Sequence, residues 1–236
     1  MTSNSAPSRG WNDLDVKTGG TGRPNLNEVR DYHVARLNHA LRRPGMWARE
    51  TTLRLFLDAV AFVDGIDQVW QAECEQLRAR GAFTSLGVPG AFARILPGYH
   101  DDGAAVASVY ADIAWRHGWL TVDRTLSAED LQRLGDGVAH WCSRDRNLDE
   151  VLAEFGSPSV LLGPSDARSS KTLVYAANRA TGLICLHFVG THDRNATKPQ
   201  SESPPALLAI RHGDGVFADT FTFTPTGTVY RQQVDR

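Results

Sequence analysis

The stretch FGSPSVLL (residues 155–162) decides the fold, because the sequence pattern differs on its two sides. Before it, apolar residues recur at every third or fourth position, as they do on one face of an amphipathic helix. After it come short runs rich in β-branched and aromatic residues, separated by Gly, Pro, Asn and Ser. A chain in which helices come first and strands follow is predicted to be of the α+β class.

The part of the chain that precedes this stretch is predicted to be a helical bundle region over residues 26–146. Asn25 and Glu28 have the spacing of a capping box, in which each side chain accepts a hydrogen bond from the backbone amide of the other residue. Asn147 and Glu150 repeat this spacing and predict one further short helix. Capping boxes mark helix starts, so both helices should begin at these positions.

Two other segments of the N-terminal part lack helical periodicity. Residues 1–25 are rich in Ser, Gly, Thr and Asn and contain few apolar residues, which predicts a disordered tail. Residues 86–103 contain several glycines and prolines, which predicts a loop around one short turn at residues 91–95.

The C-terminal part, residues 147–236, is predicted to form a helix and then an antiparallel sheet. Six runs have strand composition: residues 160–162, 172–176, 183–189, 207–211, 216–223 and 228–231. No segment between them has the length and apolar pattern of a crossover helix, so consecutive strands should pair as an antiparallel β-meander. The sequence leaves open whether this part packs as one unit with residues 26–146.

The composition excludes several classes of partner. The chain has 236 residues, of which 42% are hydrophobic and 22% charged, as in ordinary globular proteins. A formal charge of −2 provides no basic face for nucleic acid, and no apolar run is long enough to span a bilayer. Three widely spaced cysteines and an N-terminus without an apolar signal region predict a reducing compartment. We expect a cytoplasmic protein that has no nucleic-acid or membrane partner and no cofactor.

The most chemically distinctive segment is ICLHFVGTHD (residues 184–193). Strand alternation places its Ile, Leu and Phe on one face, which should be the core face, and His187 on the other. His192 and Asp193 follow a glycine and belong to a loop. Because imidazole and carboxylate groups bind zinc or iron, these residues and His212 form an alternative hypothesis, namely a small metal-assisted enzyme or ligand-binding protein centred on His187. Their spacing matches no ligand motif, so ordinary packing of His187 is the favoured interpretation.

The segment RRPGMWARE (residues 42–50) is the main candidate for partner binding. Arg42, Arg43 and Arg49 surround Trp47, and arginine and tryptophan are enriched at the energetic centres of protein interfaces. The alternative is that the arginines complement the dipole at a helix C-terminus while the tryptophan packs into the core. The sequence supports both interpretations equally.

Two passages, LNHALRRPGMWARETTLRLFLDAVAFVDG (residues 37–65) and residues 151–188, carry a resemblance to known proteins. They resemble uncharacterised actinobacterial proteins of the kind found as immunity partners in toxin systems. The second passage also resembles the helix, Gly-Ser-Pro corner and β-meander of small binding and inhibitor domains. The resemblance covers under half of the chain and implies a non-enzymatic binding protein, without assigning functional residues.

The motifs of common enzymes are absent from the sequence. It contains no G-x-S-x-G, no P-loop, no G-x-G-x-x-G after a strand and no H-E-x-x-H. The primary hypothesis is therefore a cytoplasmic non-enzymatic protein-binding module, such as an immunity protein that neutralises a toxin by occluding its active site.

Overall fold

Helices occupy most of the N-terminal part of the protein, and a sheet follows them. A computed structural model describes residues 25–45, 50–97, 103–190 and 204–232. The helices are α1 (Leu26–Arg42), α2 (Glu50–Val63), α3 (Asp67–Ala79), α4 (Gly87–Ile95), α5 (Gly103–Arg116), α6 (Ala128–Trp141), α7 (Leu148–Phe155) and α8 (Pro225–Gln232). The strands are β1 (Val160–Leu162), β2 (Lys171–Tyr175), β3 (Ile184–Val189), β4 (Ala206–Arg211) and β5 (Phe221–Phe223). The predicted α+β class is confirmed.

Both predicted capping boxes are confirmed. At the start of α1, the Asn25 side chain accepts from the Glu28 amide at 3.0 Å, and the Glu28 carboxylate accepts from the Asn25 amide at 2.9 Å. Asn147 and Glu150 form the same pair of hydrogen bonds at the start of α7. These contacts satisfy amides that have no partner within the helix, and so they fix where each helix begins. Residues 1–24 of the predicted tail lie outside the described residues, and Asn25, its last residue, is the N-cap of α1.

The five strands form one antiparallel meander, in the order β1-β2-β3-β4-β5. Thr172 of β2 is paired with His187 of β3, and Cys185 of β3 is paired with Arg211 of β4. The register between β3 and β4 shifts at a bulge between His187 and Phe188. The predicted meander is thus confirmed.

Two segments differ from the prediction at the C-terminus. Residues 217–220 form a turn of 3-10 helix, so the fifth predicted run (residues 216–223) contains only the three-residue strand β5. Residues 228–231, predicted to be a strand, belong to α8. Pro225 suits the first position of a helix, and the Thr224 hydroxyl accepts from the Gly227 amide at 3.1 Å, so this helix has its own N-terminal cap.

The segment predicted as a loop around residues 91–95 contains the nine-residue helix α4. Pro89 lies in its first turn, where a backbone amide would have no partner within the helix, so the proline does not interrupt it. The Glu50 carboxylate accepts a hydrogen bond from the Val88 amide at 2.8 Å and thereby satisfies another first-turn donor. Gly87, Pro89 and Gly90 therefore belong to the first turns of a helix and not to a loop.

Helices cover both faces of the sheet. One hydrophobic cluster joins α1 to α5 with strand residues such as Val174, Cys185 and Leu208. A second cluster joins α6 and α7 with Ile184, Leu186 and Phe188 on the opposite face. The apolar face of β3 therefore faces a core, as predicted, and its other face is also buried. Within the described ranges, no helix combines the length and apolar character needed to cross a bilayer.

Candidate functional site

His187 is a buried core residue between the sheet and α4. Its side chain is fully buried, its Nδ1 atom lies 3.0 Å from the Thr172 hydroxyl, and its ring stacks on Phe221 and meets the edge of Phe92. Burial, with a smaller contribution from the positive charge of Arg211, lowers the pKa of His187 to about 3. The imidazole is therefore neutral at physiological pH and packs among aromatic rings.

The residues of the predicted metal site do not come together in the part of the chain that the structure describes. His212 is exposed and lies against α6, where a Cβ atom on Gly135 would be 3.1 Å from its ring. His187 lies on the opposite face of the sheet, and His192 and Asp193 lie outside the described residues. Across the described ranges, no group of three or more His, Cys, Asp or Glu side chains is arranged to hold a metal ion.

The predicted partner-binding segment is described only at its start. The Arg42 guanidinium forms two hydrogen bonds with the Asp123 carboxylate, at 2.9 and 3.0 Å, and a third with the carbonyl of Thr121 at 2.9 Å. Arg43 has an exposed side chain and is the C-cap residue that follows α1. Trp47 and Arg49 lie outside the described residues. Arg42 thus connects α1 to the segment after α5, and Arg43 is the more accessible of the two arginines.

A polar cavity of about 260 Å³ lies beyond the ends of β3 and β4, on the side where α6 begins. Helix α5 contributes Asp112 to its wall, and α6 contributes Leu131 and Gln132. The remaining wall comes from residues 180–183, which precede β3, and from residues 211–214, which end β4 and follow it. Four separate parts of the chain therefore converge on this pocket, which we call the Arg211 pocket.

Arg211 is the unusual residue of this pocket, because it is a buried cation that forms no ion pair with the residues described by the structure. Only 4% of it is exposed, and its Nη2 atom donates to the Ser108 carbonyl and to the Cys185 sulfur, both at 3.2 Å. Its Nε atom has no hydrogen-bond partner, and no carboxylate of the described residues forms an ion pair with it. Sulfur is a weak acceptor, and buried charges are normally paired, so the hydrogen bonds of Arg211 leave its charge without a direct counter-ion among the described residues.

Asp112 provides negative charge on the α5 side of the pocket. Its Oδ2 atom accepts from Arg116 at 2.8 Å, but Arg116 also donates to Glu73 at 2.6 Å, so two carboxylates share one guanidinium. The Oδ1 atom of Asp112 has a long contact of 3.5 Å with the Leu183 amide. This oxygen is therefore weakly satisfied compared with Oδ2.

The sequence indicated His212 as a candidate metal ligand, and the structure places it at the rim of the pocket. It did not indicate Arg211 or Asp112. Strand alternation could have indicated Arg211, since it follows Ala209 by two positions on a face that packs against α5. Asp112 could have been indicated by its position in the otherwise apolar run AAVASVYADIAW, because a carboxylate in such a helix is expected to be buried. Neither signal indicates that the two residues share a cavity.

These features define an α+β protein whose antiparallel meander is covered by helices on both faces and has a polar pocket at one end. In comparisons with known proteins, no family model matches the chain, and no curated protein and no solved structure is significantly similar to it.

Proposed function

We propose that the protein binds a small anionic ligand in the Arg211 pocket, with the Arg211 guanidinium as the anion-binding group. The observation that carries this proposal is the burial of Arg211 without an ion pair among the described residues. A buried guanidinium is costly unless an anion and further hydrogen bonds satisfy it. An anionic ligand would supply both, because carboxylate and phosphate oxygens match the planar donor geometry of arginine.

The pocket suits a small ligand. A volume of about 260 Å³ is slightly below the range of about 300–1,000 Å³ that is typical of ligand sites. Gln132 and His212 supply side-chain hydrogen-bonding groups around it, and Leu131 supplies an apolar surface. These features favour a compact molecule with one acidic group. This proposal moves the centre of the ligand site from His187 to Arg211 and keeps His212 at its rim.

Calorimetric titration of the full chain with acetate, phosphate and a panel of small carboxylic acids would test this proposal. We expect saturable binding of at least one of these anions, and its loss in Arg211→Gln. The control is Arg133→Gln, because Arg133 is an exposed arginine on α6 that forms ion pairs with Glu129 and Asp130 of its own helix. Equal binding by the two variants, or binding of no anion by the unmodified chain, would refute the proposal.

A protein-binding role is a second candidate, and the surface of α2 favours it. Leu55 and Phe62 are 62% and 75% exposed and lie seven residues apart, which places them on the same face of the helix. Exposed apolar residues grouped on one face are a feature of protein interaction sites. Helix α2 lies within residues 37–65, which resemble immunity partners of toxin systems, and this resemblance implies a toxin-like protein partner.

Co-expression with the products of neighbouring genes, followed by pull-down, would test the second candidate. We expect the unmodified chain to retain one identified toxin-like protein and to inhibit its activity. The double variant Leu55→Ser and Phe62→Ser should lose both properties. The matched control is Val229→Ser, which changes an apolar residue of 57% exposure on α8. If the double variant still retains and inhibits the partner, α2 is not the interface.

A further inference from the structure

We infer that the ligand of the Arg211 pocket is a zwitterion of the amino-acid class, with a carboxylate that binds Arg211 and an ammonium group that binds Asp112. This inference rests on the proposed function, because it assigns a chemical class to the anion that Arg211 would bind. It follows from the charges that line the pocket and from the hydrogen bonds that those charges already make.

The charges around the pocket have both signs. Arg211 is the positive side chain of the wall, and Asp112 and Asp214 are the negative ones. A dianion such as a phosphate monoester would gain contact with one cation but would be repelled by two carboxylates. A ligand with a single negative charge and a positive group matches this arrangement, because each of its charges meets one of opposite sign.

The hydrogen bonds of Asp112 favour an ammonium group as the second charge. Arg116 holds the Oδ2 atom at 2.8 Å and is shared with Glu73, so one cation serves two carboxylates. The Oδ1 atom has a contact of 3.5 Å with the Leu183 amide, which is longer than a good hydrogen bond. A primary ammonium has three donors and would provide Oδ1 with the charge-assisted hydrogen bond that the protein does not supply.

The two buried charged side chains of the pocket, those of Asp112 and Arg211, lie on different elements of the fold. Asp112 is on α5 and Arg211 is at the end of β4, and both are at least nine-tenths buried. Because both side chains are buried, they cannot turn freely towards water. Each would therefore favour a ligand group of opposite charge at its own side of the pocket. The nearby exposed side chains of His212 and Asp214 would contact the part of the ligand that lies closer to solvent.

The test is calorimetric titration of the full chain with the L-α-amino acids. The amino acid that binds most tightly is then compared with its two matched analogues, the amine without the carboxylate and the acid without the ammonium group. We expect each analogue to bind at least about 10-fold more weakly. The amine leaves the Arg211 guanidinium without an anion, and the acid leaves the Asp112 Oδ1 atom with only its long contact to the Leu183 amide. In Asp112→Asn the preference over the deaminated acid should disappear, whereas Arg211→Gln should lose binding of both.

The outcomes separate this inference from the proposed function. If the deaminated acid binds the unmodified chain as tightly as the amino acid, the zwitterion inference is overturned and anion binding stands. If neither the amino acids nor acetate and phosphate bind, both are overturned. The comparison between the ligands uses the unmodified chain, so it decides the question whether or not Asp112→Asn folds. Asp112→Asn with an unchanged preference would assign the ammonium group to another residue and overturn the inference.

Discussion

Arg211 and Cys185 are paired across β4 and β3, and the Arg211 guanidinium donates a hydrogen bond to the Cys185 sulfur at 3.2 Å. Burial raises the pKa of the Cys185 thiol, and the nearby guanidinium opposes this only in part. The thiol therefore remains protonated at physiological pH and does not act as a counter-ion. The positive charge of Arg211 is therefore buried beside a neutral sulfur, an arrangement that costs free energy unless an anion offsets it.

Replacement of Arg211 by methionine should leave the ligand-free protein equally stable or more stable, by up to about 3 kcal/mol, because a buried charge without an ion pair is removed. Urea denaturation of the two proteins measures this difference. The same variant should lose anion binding. A loss of more than about 1 kcal/mol would indicate instead that the arginine mainly holds the fold together.

The pH dependence of stability should contain a contribution from His187. Its pKa is about 3 in the folded protein and about 6.5 in the unfolded chain, so the unfolded chain binds the proton first. The stabilisation is complete above pH 6.5 and is lost as the pH falls towards 3. Between pH 7.5 and pH 5 the free energy of unfolding should decrease by about 2 kcal/mol more in the unmodified protein than in His187→Leu.

Urea titrations at several pH values test the His187 contribution. The control is His140→Gln, which removes an exposed histidine from the end of α6 and should keep the pH dependence of the unmodified protein. Parallel stability curves for His187→Leu and the unmodified protein would contradict the assignment.

Two glycines of α6 provide a matched pair of substitutions. A Cβ atom on Gly137 would contact the Trp141 ring at an ordinary 3.7 Å, whereas one on Gly135 would lie 3.1 Å from the His212 ring. Gly137→Ala should therefore raise the free energy of unfolding by about 0.5–1 kcal/mol, through the helix propensity of alanine. Gly135→Ala should gain less, because the imidazole must move. Thermal unfolding monitored by circular dichroism distinguishes the two, and an equal gain would show that His212 does not constrain the position.

Arg116 should be essential for stability. Arg116→Met would leave the carboxylates of Asp112 and Glu73 buried without their shared cation, which should cost about 3 kcal/mol or more. Adding Glu73→Gln should restore part of this loss, since one of the two buried charges is then removed. Arg133→Met on the exposed face of α6 should change stability by less than about 0.5 kcal/mol. A similar small effect for Arg116→Met would refute the role of the shared guanidinium.

Substitutions of Arg42 and Arg43 should have different effects on stability, although the two residues are adjacent. Arg42→Gln removes the paired hydrogen bonds to the Asp123 carboxylate, whose side chain is 64% exposed, so the expected loss is at most about 1 kcal/mol. Arg43→Gln should have no measurable effect on stability. If a protein partner contacts the C-terminal end of α1, Arg43→Gln should mainly slow association, as measured by surface plasmon resonance. Equal stability losses for the two variants would contradict the structural difference between them.

Local signals explain why the helix starts were predictable. The capping boxes at Asn25 and Asn147 depend on residues only three positions apart, and the change from helical to strand periodicity is equally local. Helix α8 was missed because a run of β-branched and aromatic residues resembles a strand. Its conformation depends on a tertiary contact, since Gly227 packs directly against the backbone of Leu208 in β4. No local pattern contains that contact.

The pocket was less predictable than the fold, for a similar reason. Asp112, the residues before β3 and the end of β4 are separated by about 70 and 30 positions, and only the completed sheet brings them together. His212 was a candidate because imidazole groups commonly bind metal ions. Strand alternation places Arg211 on the same face as Ala209, but its burial depends on α5, which covers that face of β4.

The lengths of the strands have a consequence for how the protein behaves at high concentration. The outer strands β1 and β5 have three residues each, whereas the inner strands have five or six. The borders of the sheet thus present only short rows of unpaired amides and carbonyls to another chain. Short outer strands are one of the ways in which natural sheets avoid edge-to-edge pairing, so this meander resists growth into aggregates at its own margins.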